Sequence, residues 1–260
     1  MNLDLTGKTA LVCGSTQGIG KAIAMELAHM GANIVLLARN EGRLQEVQAE
    51  LPVNNQKHQY IVADFSDPSQ VKEVIDKFVS HLTIHILINN TGGPAGGQAI
   101  DADIDEFRQA FNAHLICNQI LVQAVVDGMK KEGYGRIINV ISTSVKMPLK
   151  GLGVSNTIRG AVASWSKTLA TELGIFGITV NNVLPGATMT ARLESIITNK
   201  AKKTGKTEDE VKETMLLEIP ANRFAEAQEI ANAAAFLASP AAGYINGINV
   251  PVDGGRTGCL

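Results

Sequence analysis

The stretch Thr9-Ala10-Leu11-Val12-Cys13-Gly14-Ser15-Thr16-Gln17-Gly18-Ile19-Gly20 decides how the rest of the chain is read. It opens with a continuous apolar run rather than an alternating one, the pattern of a strand covered on both faces. Glycines interrupt the run, and residues 19–30 then carry apolar side chains at helical spacing. Such a turn lets the backbone take positive φ and approach a phosphate closely. The helix that follows offers unpaired N–H groups and the positive end of its dipole. Any tight strand–helix connection uses glycine, so the turn alone is weak. Placed at the first strand–turn–helix of the chain, it points to a dinucleotide pyrophosphate held by Gly14, Ser15, Thr16, Gln17, Gly18, Ile19 and Gly20.

Outward from this turn, the same rhythm repeats. Compact apolar runs at 34–38, 60–63, 84–88, 136–141, 179–184 and 248–252 are separated by helical or polar stretches such as 41–51. Strands of this type alternating with helices predict a doubly wound parallel sheet, the Rossmann α/β fold, with right-handed crossovers. A single domain over 1–260 accommodates them. The compositional break at 194–218 sets Lys200, Lys202, Lys203 and Lys206 before Glu208, Asp209, Glu210 and Glu213, with apolar residues at helical spacing. Residues 191–219 read as a helical lid over a substrate crevice within that domain; a solvated helical hairpin without function is the alternative.

Bulk properties exclude several classes. The 260 residues are 45% hydrophobic and 18% charged with a formal net charge of −2, a balance that argues against nucleic acid or an anionic membrane as partner. No apolar run approaches the length of a membrane span. Cys13, Cys117 and Cys259 are too scattered for a disulfide framework or a metal cluster, so a reducing compartment, the cytoplasm, is expected and no metal is.

The second strand ends at Ala38-Arg39-Asn40, where an acid would read a ribose 2′-hydroxyl. No acid stands there. Arg39 instead offers a guanidinium to a 2′-phosphate, which makes NADP(H) the expected cofactor, although a plain surface arginine is the competing reading.

Further motifs follow in order, and together they resemble the short-chain dehydrogenase/reductases, close in layout to 3-oxoacyl-[acyl-carrier-protein] reductases. The Gly14–Gly20 turn resembles that family's cofactor turn, with Cys13 where threonine is usual. Ala63-Asp64 resembles the adenine contact, Asn89-Asn90-Thr91-Gly92 the Asn-Asn-Ala-Gly segment, and Pro185-Gly186-Ala187-Thr188-Met189-Thr190 the loop around the nicotinamide amide. The segments Ile245-Asn246-Gly247 and Val252-Asp253-Gly254-Gly255 resemble the C-terminal signature. The resemblance implies that Arg39, Asn40, Ala63, Asp64, Asn90, Thr91, Gly92, Pro185, Gly186, Thr188 and Thr190 join the glycine turn in holding the cofactor. It also implies a homo-oligomer, a tetramer or dimer, built through helices near 107–129 and 156–173, and a small-molecule or acyl-thioester substrate.

The family's working set of Asn, Ser, Tyr and Lys is where the chain departs. Ser142 matches the serine. Where Tyr-x-x-x-Lys is implied, the chain reads Ser155-Asn156-Thr157-Ile158-Arg159, and the asparagine position holds His114. Ser155 is a poor general acid, and Arg159 cannot exchange protons but can hold a ribose or polarise an oxygen. His114 and Lys146 are candidate replacement proton donors, each balanced by a structural role. Three functions stay open: carbonyl reduction of the 3-oxoacyl type with an altered proton donor, reduction of a conjugated C=C bond, and dinucleotide binding without turnover.

Overall fold

The computed structural model describes residues 1–259, so Leu260, the last position of the expected domain, lies outside the described residues. Seven strands form one sheet: β1 (Thr9–Cys13), β2 (Asn33–Ala38), β3 (Gln59–Val62), β4 (Ile86–Asn89), β5 (Gly135–Val140), β6 (Ile178–Pro185) and β7 (Asn249–Val252). Their order is β3-β2-β1-β4-β5-β6-β7, with every neighbouring pair parallel. The order reverses between β1 and β4, which opens a crevice beyond the strand C-termini at that point.

The continuous apolar runs have a direct cause. Ala10, Val12, Ile34, Leu36, Ile86 and Ile88 pack on one face of the sheet, under α1 (Gly18–His29), α2 (Glu41–Glu50) and α9 (Ala227–Ala238). Leu11, Cys13, Val35, Leu37 and Leu87 pack on the other, under α3 (Pro68–Val79), α5 (Cys117–Glu132) and α6 (Gly153–Leu173). Alternate residues of one strand therefore serve two cores, so a polar residue in it must find its partner inside the protein. Among the described residues no helix is long and apolar enough to cross a membrane.

One expectation needs correction. The helix anticipated across 107–129 is interrupted: α4 (Ile104–Phe111) passes through a π-turn at Asn112–Ile116 before α5 begins. Apolar periodicity does not register one extra residue per turn, and it is the π-turn that carries His114. Residues 191–219, anticipated as helical, hold two helices, α7 (Ala191–Thr204) and α8 (Glu208–Leu216). They close on a core of their own, Leu193, Ile197, Ala201 and Val211, and α8 starts on a capping box between Thr207 and Glu210.

Polar groups inside the sheet fix its register. Asn89, Asn139, Asn182 and Asn249 are mutual neighbours on β4, β5, β6 and β7. Asn89 Nδ2 donates to Asn139 Oδ1 (2.8 Å), Asn139 Nδ2 to Asn182 Oδ1 (2.9 Å), and Asn182 Nδ2 to Asn249 Oδ1 (2.8 Å). Asn139 Nδ2 also reaches Ser166 Oγ on α6 (3.2 Å). Any one-residue slip would leave these buried amides unpaired. Asn139→Ala strands the amide of Asn89 and the carbonyl of Asn182 together, at about 1–3 kcal/mol each. Urea unfolding of this variant should show a midpoint drop equivalent to about 3 kcal/mol or more, and a loss under about 1 kcal/mol would mean the ladder does not hold the register.

Candidate functional site

The glycine turn is held from behind. Gly14 has φ +59°, and a Cβ there would stand 2.6 Å from the Asn90 carbonyl oxygen; one on Gly20 would stand 2.2 Å from the Gly14 carbonyl oxygen. Side chains are excluded at both positions because β1, α1 and the chain leaving β4 meet there. Asn90 fastens the junction through Nδ2, which donates to the carbonyls of Cys13 (3.2 Å) and Gly14 (3.3 Å). Ser15 is fully buried, and its Oγ accepts from the Leu37 N–H (3.1 Å), so it ties the turn to β2.

The front of the turn faces a cleft. The Gln17 side chain makes no capping bond to α1, and that helix has no acid in its first turn, which leaves its leading N–H groups open. By contrast α2, α3 and α7 are capped by the side chains of Asn40, Asp67 and Thr190. The far wall is the 185–190 loop: a Cβ on Gly18 would lie 3.3 Å from Thr190 Cγ2. A Cβ on Gly92 would meet nothing within 4 Å. An uncapped helix start, backbone walls and an open floor fit a pyrophosphate. At the sheet edge Arg39, 80% exposed, lies 3.9 Å from the Asp64 carboxylate, a loose pair that leaves the guanidinium available. Asp64 Oδ1 accepts from the Ser66 N–H (2.9 Å).

Not every anticipated cofactor residue turns its side chain to this cleft. Asn40 caps α2, Ala63 is buried in the core, and Thr188 Oγ1 donates to the Gly186 carbonyl (3.2 Å). Their nearness to the cleft comes through backbone, with side chains committed elsewhere.

The second half of the site lies past β5. Ser142, two residues beyond the strand, accepts the Ser144 N–H at Oγ (3.1 Å), which leaves its own O–H to donate. Ser155 and Arg159 stand one helical turn apart on the same face of α6. Arg159 is buried, and its Nη1 donates to the Val140 carbonyl (2.9 Å) at the end of β5. Its Nε has no hydrogen-bond partner. His114 is buried on the π-turn with Nδ1 against Thr91 Oγ1. Burial first, and then the Arg159 charge, push its pKa down to about 3, so the imidazole is neutral at working pH. Arg159 itself is lowered to about 10 by burial and by Arg192, and stays charged. Lys146 is exposed on the loop after Ser142, where its backbone carbonyl faces the Cys259 thiol. Among the described residues no cluster of His, Cys, Asp and Glu has the makings of a metal site.

Arg192 was not apparent from the sequence. It sits in the first turn of α7, and its Nη2 donates to the Pro94 carbonyl (2.6 Å). Its only signal is a place two residues beyond the Pro185–Thr190 motif, which does not disclose where a long side chain will reach.

The neutral His114 has a measurable consequence. Its folded pKa lies below the ordinary value of about 6.5, so below that pH the unfolded chain takes up a proton that the folded chain refuses. The stability it contributes is complete above about pH 6.5 and drains away as pH falls toward 3. At pH 5 this single group should account for about 2 kcal/mol. Urea unfolding at pH 7 and pH 5 should show His114→Gln losing about 2 kcal/mol less between the two conditions than the parent chain; equal losses would contradict a neutral buried imidazole.

The chain is similar to known proteins along nearly all of its length. Residues 14–257 match the family described as Enoyl-(Acyl carrier protein) reductase. The 3-oxoacyl-[acyl-carrier-protein] reductase of Pseudomonas aeruginosa is 32% identical over 97% of this chain and 98% of its own length. An NADPH-dependent reductase of Bacillus subtilis is 30% identical over 96% and 98%. The crystal structure of L-sorbose reductase from Gluconobacter frateurii, complexed with NADPH and L-sorbose, superposes with a TM-score of 0.93 at 31% identity, covering 100% of both chains.

Proposed function

Because the chain belongs to the short-chain dehydrogenase/reductase family, a family of NAD(P)-dependent oxidoreductases, we propose that it is an NADPH-dependent reductase of a small carbonyl compound. The bound cofactor supplies the hydride. The chain's own residues bind and orient it: the open start of α1 takes the pyrophosphate, Arg39 takes the 2′-phosphate, and the 185–190 loop covers the nicotinamide end.

The observation that carries the reading is the buried Arg159 cation, which makes no ion pair among the described residues. Hydride addition to a carbonyl carbon breaks the C=O π bond and leaves the electron pair on oxygen. Ser142 and Ser155 donate hydrogen bonds to that oxygen, and Arg159 stabilises its charge through the low-dielectric surroundings. Protonation to the alcohol draws on water, since neither Ser155, Arg159 nor neutral His114 is an acid of near-neutral pKa.

That same shortage of an acid favours a second reading. Hydride addition to the β-carbon of an enone produces an enolate, a weaker base than an alkoxide, which hydrogen bonds and a cation stabilise until water protonates it. Stopped-flow NADPH oxidation with matched 3-oxoacyl and enoyl substrates, offered as thioesters and as free acids, separates the two. Faster turnover of the ketone is expected, with Ser142→Ala slowing it about a hundredfold. Preference for the enone selects the second reading. No oxidation with any member, while NADPH still binds, would leave a binding protein without turnover.

The cofactor assignment is tested apart from turnover. Trp165, the sole tryptophan, donates Nε1–H to Gln119 Oε1 (2.7 Å) and is half-buried on α6, so its fluorescence can report binding. Arg39→Ala should weaken NADPH about tenfold or more and leave NADH nearly unchanged. Equal affinity of the parent chain for the two cofactors would overturn the role of Arg39.

A further inference from the structure

Two guanidinium groups converge where the chain leaves β4. A Cβ built on Gly93 would lie 3.5 Å from Arg192 Nη2 and 3.8 Å from Arg159 Nη2. The two arginines arrive from different elements, α6 and the start of α7, and are fixed by different carbonyls, Val140 for Arg159 and Pro94 for Arg192. Neither forms an ion pair among the described residues, and the Arg192 charge disfavours that of Arg159. Arg159 is 7% exposed, and its Nε is buried without a hydrogen-bond partner.

Buried polar groups are nearly always satisfied, and an unsatisfied charged one is the costlier exception. Like charges brought together without a carboxylate are also unfavourable. Arg159 spends only Nη1 on the protein, so the Nε and Nη2 corner of its fork is uncommitted. That corner is the edge by which guanidinium receives a carboxylate bidentately. A Cβ on Gly93 would stand in ordinary van der Waals contact with both guanidinium groups, so the glycine leaves the space beyond that distance open. The missing component is an anion.

We propose that Arg159 and Arg192 form a carboxylate-binding clamp over Gly93, so that the substrate is a small oxo acid carrying a free carboxylate rather than a neutral ester or thioester. This deepens the reductase reading and rests on it for the word substrate; the anion site itself rests on the arginine geometry. The clamp lies on the same side of the site as Ser142 and Ser155, so a substrate anchored by its carboxylate presents a nearby carbonyl to their hydroxyls. Arg192, at the start of α7, already ties that helix to the Pro94 carbonyl through Nη2.

The test measures binding first and turnover second. NADP+-loaded protein is titrated calorimetrically with acetoacetate and with methyl acetoacetate, then with trans-4-oxopent-2-enoate and its methyl ester. Each pair keeps the reacting carbonyl and differs in the anion. The acid is expected to bind about tenfold or more tighter than its ester in at least one pair. In Arg192→Ala that ratio should fall toward one while NADPH affinity, read from Trp165, stays put. Arg159→Lys keeps a charge but not the fork, and should lower the ratio as well. Acid and ester bound alike, or neither bound, overturns the clamp, as does an Arg192→Ala variant that weakens NADPH and leaves the ratio intact. If the acids bind selectively but no probe is reduced, the clamp stands and the reductase reading fails. If acids and esters are reduced equally well, the reductase reading stands and the clamp fails.

Discussion

Four asparagines hold together the half of the sheet on which the site depends. Asn89, Asn139, Asn182 and Asn249 cross β4 to β7 in register, each donating to the next, the first three buried and Asn249 half-buried at the sheet edge. A chain of amides in a low-dielectric interior is worth keeping only when complete, because each member left unpaired costs more than a formed bond returns. The ladder therefore admits one alignment of these strands. It lies one residue before Asn90 on β4, three before Ser142 on β5 and three before Pro185 on β6. The three segments that leave the sheet at these points build the cofactor cleft and the catalytic side, so their relative heights are set within the core.

On this frame both halves of the site favour negative charge, but from different sources. The turn at Gly14–Gly20 relies on uncharged backbone: N–H groups at the bare start of α1 and walls too close for a Cβ. The side past β5 relies on formal charge, with Arg159 buried and Arg192 beside it. His114 stays neutral because burial disfavours its charged form and the Arg159 cation adds to that. Its ring can hydrogen-bond to Thr91 and hold the chain after β4 in place, but it is far from the pKa of a useful acid.

Much of the fold was legible because burial on both faces imprints itself directly on composition. The run expected at 34–38 is β2 (Asn33–Ala38), and that at 179–184 is β6 (Ile178–Pro185). Strand ends shifted by a residue or two, since hydrogen-bonded pairing continues past the last apolar side chain, as at Pro185 opposite Val252. The π-turn at Asn112–Ile116 was illegible for a different reason: it alters which carbonyl each N–H meets, and residue types do not record that choice. The candidate site was read as a set of positions, and side-chain direction was the missing information. Ser15 and Asn40 proved to be committed to the scaffold, and Arg192 proved to reach the crevice from a helix start. Each outcome depends on contacts made across the fold.

Ser155 and Arg159, standing where the family resemblance implies tyrosine and lysine, share a common physical logic. A lysine beside a tyrosine is useful because its charge lowers the tyrosine pKa toward neutrality; beside a serine hydroxyl the same charge has no titration within reach to tune. With Ser155 in place, the residue at 159 is relieved of that task and need only be a cation in the right position. Arginine then does what lysine cannot, anchoring one nitrogen on the Val140 carbonyl while presenting a second toward Gly93. A lysine ammonium would have to abandon one contact to make the other, because its donors radiate from a single nitrogen. Arg192 adds a second cation at the same point, which only worsens the repulsion unless the crevice receives negative charge. A serine at 155 and arginines at 159 and 192 thus fit together in the anion-holding site proposed above.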